Sequence, residues 1–308
     1  MQELPLITII GPTGIGKTTL ALDLAAKYPI EIISLDSMLV YRYCNIGTAK
    51  PTIKELTLVA HHMIDILDPW ENYSVARYIE DIEPIINSIR NNNKIPILVG
   101  GTMMYLWAMI NGLDATPTTD QAIRKNILLT AETNGWHFLW HKLYALQPLI
   151  AEKIQPNDKQ RISRALELAL LNSNFVGEKS KQFNLKIISL WPETRDNLYN
   201  NLNNRVVQMI EKGLIEEVTK LKNDFNNKLN SSILNAVGYR QVFSYLAHEY
   251  DYSTMLLKVQ QANRNLAKKQ LTWMRKLKNT KLSMDLSVKN NALRDINNVI
   301  SSLIKQQI

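Results

Sequence analysis

The stretch "IIGPTGIGKTTLALDL", residues 9–24, constrains the fold more than any other part of the chain. It runs from an apolar segment through a glycine-rich turn into the start of an amphipathic helix. Gly11, Gly16, Lys17 and Thr18 fit the spacing G-x-x-x-x-G-K-[ST], with a strand before it and a helix after it as the motif requires. Glycine lets successive backbone N–H groups turn inward around phosphate oxygens. The helix N-terminus adds its positive dipole end, Lys17 a point charge, and the Thr18 hydroxyl a ligand for magnesium. Gly11, Pro12, Thr13, Gly14, Ile15, Gly16, Lys17 and Thr18 are therefore expected to cradle a phosphorylated ligand, with Thr18 as the metal ligand. The motif does not name the anion: a nucleoside triphosphate and a diphosphate ester look alike to it.

Three short apolar runs frame this loop. "LITII" (6–10), "IEIISLD" (30–36) and "KIPILVGGT" (94–102) read as buried parallel strands, and a helix is expected from about Lys17 to Lys27. Strands alternating with helices imply an α/β fold, a P-loop NTPase-like parallel sheet flanked by helices. Ligands in such sheets sit beyond the carboxyl ends of the strands. Gly11, Asp36 and Gly100 each lie at such an end, so three segments should converge on one cleft. After "LDATPTTD" (113–120) the pattern turns helical, and 115–185 reads as an all-helical insertion domain. The catalytic core is then 1–114 with 186–308, in which "KIISLWP" (186–192) is a returning strand and the remainder is helical. Val206, Ile210, Leu214, Val218 and Leu221 make one apolar stripe, read as ordinary helix packing.

A chain of 308 residues with 45% hydrophobic content can fill a sizeable core. Its single cysteine, Cys44, excludes an internal disulfide framework and a multi-cysteine zinc site, so any metal is expected on oxygen, most simply magnesium with phosphate. No apolar run approaches the roughly 18 residues of a membrane span, and the start of the chain lacks the order of a signal peptide, so a cytoplasmic protein is expected. The net charge of +8 is uneven. Between Tyr252 and Met284 no acid interrupts Lys258, Arg264, Lys268, Lys269, Arg275, Lys276, Lys278 and Lys281. Such a stripe suits a polyanion or is a solvated basic face.

Asp36, at a strand end, could hold a magnesium-bound water, act as a general base, or cap a helix. Gly100 and Gly101 stand where many ATPases carry an acid, and would leave room for something bulky beside the loop. His61, His62 and Asp65 read as packing and hydrogen-bonding residues rather than metal ligands. Gln160, Arg161 and Arg164 share one short helical surface, suited to solvent or to phosphates and base edges. These residues leave open a P-loop small-molecule or nucleotide kinase and a nucleic-acid-binding ATPase.

An ordered series of motifs narrows the choice. "GPTGIGKT", "SLDSMLVY", "IGTAKP", "HHMIDILDP", "YSVARY", "ILVGGTMMYL", "NDKQRISRALE", "GLIEEV", "NAVGYRQ" and "LAKKQLTWMR" together resemble the tRNA dimethylallyltransferases, also called tRNA isopentenyltransferases, over about residues 6–276. The resemblance implies transfer of a dimethylallyl group from dimethylallyl diphosphate, with Mg2+, to the exocyclic N6 amino group of the adenosine immediately 3′ of the anticodon, giving N6-dimethylallyladenosine. It implies Asp36 as general base, with Lys17, Thr18, Thr13 and Arg205 on the leaving diphosphate. Asp36, Ser37, Met38 and Leu39 would line the nucleotide side, and Thr102 and Arg124 would contact the tRNA around the reacting nucleotide. Gln160, Arg161, Ile162, Ser163 and Arg164 would hold the flanking anticodon bases, and Asn235, Ala236, Val237, Gly238, Tyr239, Arg240, Lys268 and Lys269 would complete the tRNA contacts. The insertion would grip the anticodon stem of a tRNA bound to a monomer. The reacting adenine would be turned out into a channel entered by the prenyl diphosphate from the other side. Two departures stand out: Asn201 replaces a second arginine four residues before Arg205, and Gly14-Ile15 replaces Ala-Ser in the loop.

Overall fold

The computed structural model describes residues 4–114, 120–171, 180–225, 228–277, 280–284 and 301. Their strands are β1 (Leu6–Ile10), β2 (Ile30–Leu35), β3 (His61–His62), β4 (Ile95–Gly100), β5 (Leu185–Pro192) and β6 (Thr280–Met284). They form one sheet of order β3-β2-β4-β1-β5-β6, parallel throughout. β1, β2 and β4 are buried at every position, as near-continuous apolar runs covered on both faces must be. β1 lies between β4 and β5, with Ile9 opposite Val99 on one side and Ile188 on the other. The phosphate-loop candidate therefore leaves the middle of the sheet.

Two strands depart from the expected set. β3 is two residues long and carries histidines, so it has no apolar period to read. β6 falls in the stretch beyond 192 that is expected to be helical. It is made a strand by register with β5, Leu190 opposite Leu282, a long-range pairing that leaves no local signature.

Helices α1 (Lys17–Ala25), α2 (Ile53–Leu58), α3 (Val75–Asn91) and α4 (Met103–Asn111) accompany the first four strands. α1 buries Leu20, Ala21 and Leu24 against Ile7, Ile9, Ile32 and Ile97 of the sheet. α3 starts at Ser74, whose side chain accepts the Arg77 N–H, and buries Tyr78, Ile82, Ile86 and Ile89 along one face.

Residues 112–181 form a second compact unit. It contains α5 (Gln121–Leu146), α6 (Pro148–Ala151) and α7 (Lys159–Leu170), around a core of Ile127, Leu139, Leu143, Ala151, Ile162 and Leu166. α5 is broken at Gly135, where φ is 83° and ψ 164°. The unit is shorter than the expected 115–185 at its far end, because Gln182 and Phe183 donate to the Asn111 and Met109 carbonyls and so belong to the sheet-bearing unit.

The sheet-bearing unit continues with α8 (Arg195–Glu211), α9 (Leu214–Phe225), α10 (Ser231–Leu234), α11 (Tyr239–Leu246) and α12 (Tyr252–Met274). The apolar stripe from Val206 to Leu221 is not one helix. Gly213, at φ 98°, stops α8 and lets α9 start in a new direction. Val206, Leu214, Val218 and Leu221 still share one core, because both helices pack against Val40, Tyr41, Met255 and Val259.

Candidate active site

The loop after β1 turns through two left-handed glycines, Gly14 (φ 78°) and Gly16 (φ 93°), the second of which starts α1. Lys17 Nζ donates to the Gly11 and Pro12 carbonyls at 3.0 and 2.9 Å, which folds its ammonium back over the turn. Ile15 is fully buried, and a Cβ on Gly11 would stand 2.8 Å from its Cγ2. Its side chain anchors the loop to the core, and its N–H donates to the Pro12 carbonyl at 3.4 Å; Gly11, Pro12 and Ile15 do not themselves line the cleft that Lys17 lines. Gly14 has no room for a side chain either: a Cβ there would stand 2.8 Å from Leu202 Cδ2.

Asp36 follows β2 directly. No helix starts there, so the capping role falls away; Oδ1 instead accepts the Met38 N–H at 2.8 Å and holds a tight turn. The Ser37 N–H donates to Thr102 Oγ1 at 3.1 Å, which ties the end of β2 to the end of β4. Thr13, Lys17, Thr18, Asp36, Thr102 and Arg205 all line a single cleft of about 850 Å³.

Electrostatics inside the cleft are those of three recessed, mutually facing charges. Burial pushes the Asp36 carboxyl above its usual range, against the Met38 and Leu39 N–H groups, Lys17 and Arg205, which favour its ionised form. Burial lowers Lys17 to about 8, while Asp36 raises it and Arg205 adds to the lowering. Arg205 is likewise lowered by burial and supported by Asp36. Such an arrangement suits a dense anion beside a carboxylate whose affinity for a proton burial has raised.

The family model described as IPP transferase matches residues 39–277. The chain belongs to the IPP transferase family. A tRNA dimethylallyltransferase of Legionella pneumophila (strain Corby) is 42% identical over 273 residues, 87% of each chain. The full-length tRNA isopentenylpyrophosphate transferase of Bacillus halodurans superposes with a TM-score of 0.73 at 35% identity, over 99% of this chain and 98% of that one. A eukaryotic dimethylallyltransferase acting on tRNA shares the fold, with a TM-score of 0.80 at 24% identity over 99% of this chain and 80% of that one.

In this IPP transferase the cleft also takes Gly14, Gly16, Ser37, Met38 and Leu39 from the expected residues, and Asn235, Ala236, Val237 and Tyr239 from the segment leading into α11. Tyr239, 1% exposed, serves mainly to shape the wall. Several other expected contacts lie elsewhere: Gly238 is buried beside the cleft lining without being part of it. Arg240 faces a separate shallow cavity with Lys258 and Tyr250. Lys268 and Lys269 lie on the exposed face of α12. Lys278 and the side chain of Lys281 fall outside the described residues.

In the helical unit, Arg124, Gln160 and Arg161 are exposed. Arg164 is tied to buried Glu167 at 3.0 Å, Ile162 is fully buried in the unit's core and Ser163 is buried as well. The side chains of Ile162 and Ser163 are thus corrected from RNA contacts to packing: with a period of 3.6, neighbouring helix positions cannot all face one surface.

The glycine pair at 100 and 101 lines the cleft, as expected, and is closely packed besides. A Cβ on Gly100 would overlap the Leu35 carbonyl, and one on Gly101 would meet Gln270 Nε2 and the Gly11 carbonyl. Gly100 makes room for the Leu35 backbone and Gly101 chiefly for the Gln270 side chain. His61 Nδ1 bonds the Val59 carbonyl, His62 pairs with Glu31 at 2.6 Å, and Asp65 pairs with Lys50, which accounts for all three as structural groups.

Sequence reasoning misses two residues of importance. Gln270 reads only as part of the motif "LAKKQLTWMR", yet its side chain bridges the loop and the end of β4. Glu217 reads only as part of a motif, yet it accepts the N–H groups of Asn45, Ile46 and Gly47. No local signal marks the first, since α12 carries four other uncharged amides, Gln260, Gln261, Asn263 and Asn265.

Among the described residues no group of three or more His, Cys, Asp or Glu side chains is placed to hold a metal. The cleft instead offers the exposed Thr18, whose hydroxyl fits a magnesium ion held mostly by phosphate oxygens and water.

Proposed function

We propose that this IPP transferase is a tRNA dimethylallyltransferase, acting in the cytoplasm on the exocyclic N6 of the adenosine 3′ of the anticodon with dimethylallyl diphosphate as donor. The observation that carries the reading is the meeting of the Lys17 loop, Arg205 and a raised-pKa Asp36 in one cleft. A kinase site needs the first two; a carboxylate made more basic by burial suits the removal of a proton from a weak nitrogen nucleophile.

The adenine amino group is a poor nucleophile because its lone pair is delocalised into the ring. In the proposed step N6 attacks the allylic C1, the C1–O bond to the diphosphate breaks, and the N6 proton passes to an Asp36 oxygen. Lys17, Arg205 and the N–H groups from Gly14 to Lys17 hold the charge that grows on the departing diphosphate. Thr18 would hold magnesium, which when bound supplies further positive charge to that diphosphate. Ser37, Met38 and Leu39 orient the everted base. The exposed lysines of α12 and the cations of the helical unit meet RNA through backbone and shape, as A-form grooves require.

The direct test is mass analysis of tRNA nucleosides after incubation with dimethylallyl diphosphate and magnesium. The expected product is N6-dimethylallyladenosine. Phosphate transfer from ATP to a small acceptor, with no prenylated nucleoside, would establish the kinase instead.

A further inference from the structure

We infer that Gln270 is a positioning residue for the transfer, a side chain that locks the phosphate loop to the end of β4 and, through it, to Asp36. This deepens the reading above and rests on it. Gln270 lies on α12, 9% exposed, with its amide at the cleft wall. Its Oε1 accepts the Thr13 N–H at 2.8 Å and its Nε2 donates to the Gly101 carbonyl at 3.0 Å. One partner is a donor and the other an acceptor, so position 270 must present an acceptor and a donor in fixed order, which a carboxamide does and no charged side chain does.

Each end of this bridge leads to a reacting group. Thr13 opens the phosphate turn, and its N–H, held by Gln270, fixes where the turn begins. On the other side the Gly101 and Thr102 N–H groups donate to the Leu35 carbonyl at 3.2 and 3.1 Å, and Thr102 Oγ1 accepts the Ser37 N–H. Hydrogen bonds therefore run from the loop through Gln270 to the residue that follows Asp36. The leaving diphosphate hangs from one end and the proton acceptor from the other. A misplacement of about 1 Å between such groups can cost about 10²-fold in rate.

Gln270→Met keeps the size and removes both polar ends; Gln270→Glu keeps the acceptor and donates to Gly101 only when protonated. Single-turnover prenyl transfer at saturating substrates, tRNA affinity and magnesium pyrophosphate affinity are measured across pH for both variants and the unaltered protein. Gln270→Met is expected to slow transfer about 10- to 100-fold with unchanged tRNA affinity. For Gln270→Glu, the rate relative to the unaltered protein is expected to fall as pH rises, because an ionised carboxylate faces the Gly101 carbonyl. A residue that merely stabilises the fold would lower the melting temperature of both variants and leave that ratio flat. A flat ratio, or a Gln270→Met rate within about twofold of the unaltered protein, overturns the inference. If the unaltered protein transfers no prenyl group, the functional reading fails by itself. Pyrophosphate affinity then decides: a loss of about 10-fold in Gln270→Met upholds the lock, and an unchanged affinity overturns it.

Discussion

The Tyr239 hydroxyl donates to the Glu217 carboxylate at 2.6 Å, and the same carboxylate accepts the backbone N–H groups of Asn45, Ile46 and Gly47 at 2.7–3.1 Å. Three motifs distant in sequence thus meet at one side chain. A Cβ on Gly47 would overlap the Tyr239 ring, so the loop can close over the ring only with glycine there. Lys50, from the same loop, donates to the Tyr41 carbonyl and pairs with Asp65. The wall of the cleft is built from these contacts.

Tyr239→Phe removes a hydrogen bond to a charged group from a buried ring and should cost about 1.5–3 kcal/mol in urea unfolding. Glu217→Ala strands three N–H groups as well and should cost more. A Tyr239→Phe loss below about 0.5 kcal/mol would mean the hydroxyl contributes nothing to holding the wall.

The pH dependence of kcat/KM, which reports the free enzyme, should be bell-shaped. Activity should rise as Asp36 ionises and fall above about pH 8 as Lys17 loses its proton. The apparent values belong to the pair. In Asp36→Asn the charge that raises Lys17 is gone, so the alkaline limb of the residual activity should move to lower pH. An unmoved limb would separate Lys17 from Asp36. For stability the sign is set by proton uptake: the unfolded lysine keeps its proton to about its ordinary 10.5 and the folded one releases it near 8, so Lys17 makes stability rise with pH between those values. Asp36, raised in the folded state, makes stability fall with pH between its ordinary and its raised value. Lys17→Met should flatten the alkaline rise, seen as melting temperature against pH.

Asp36→Asn should slow single-turnover transfer by about 10²-fold or more, since general-base help is worth about 10²- to 10⁴-fold. Pyrophosphate binding should be kept or tightened, because a like charge beside the anion is removed. A rate within about threefold of the unaltered protein would dismiss Asp36 as the base.

Lys268→Ala with Lys269→Ala should weaken tRNA binding and flatten its dependence on salt, by roughly 0.7–0.9 in the log–log slope for each phosphate no longer neutralised. An unchanged slope would return this face of α12 to plain solvation.

The sequence by itself determined the loop, its strand and helix, the parallel sheet and the carboxylate at the end of β2. Those features are local: an apolar run, a glycine needing positive φ at 14 and 16, and a lysine and threonine at the first helical turn. Tertiary structure alone decided the rest. β6 exists only through pairing with β5, the stripe after Val206 is cut by Gly213, and Gly100 lacks a side chain because the Leu35 backbone fills that space. Gln270 is 257 residues from Thr13 and 169 from Gly101, and Glu217 is 172 from Asn45. A hydrogen bond between such positions depends on where two elements come to rest, and composition or periodicity on either one carries no trace of it.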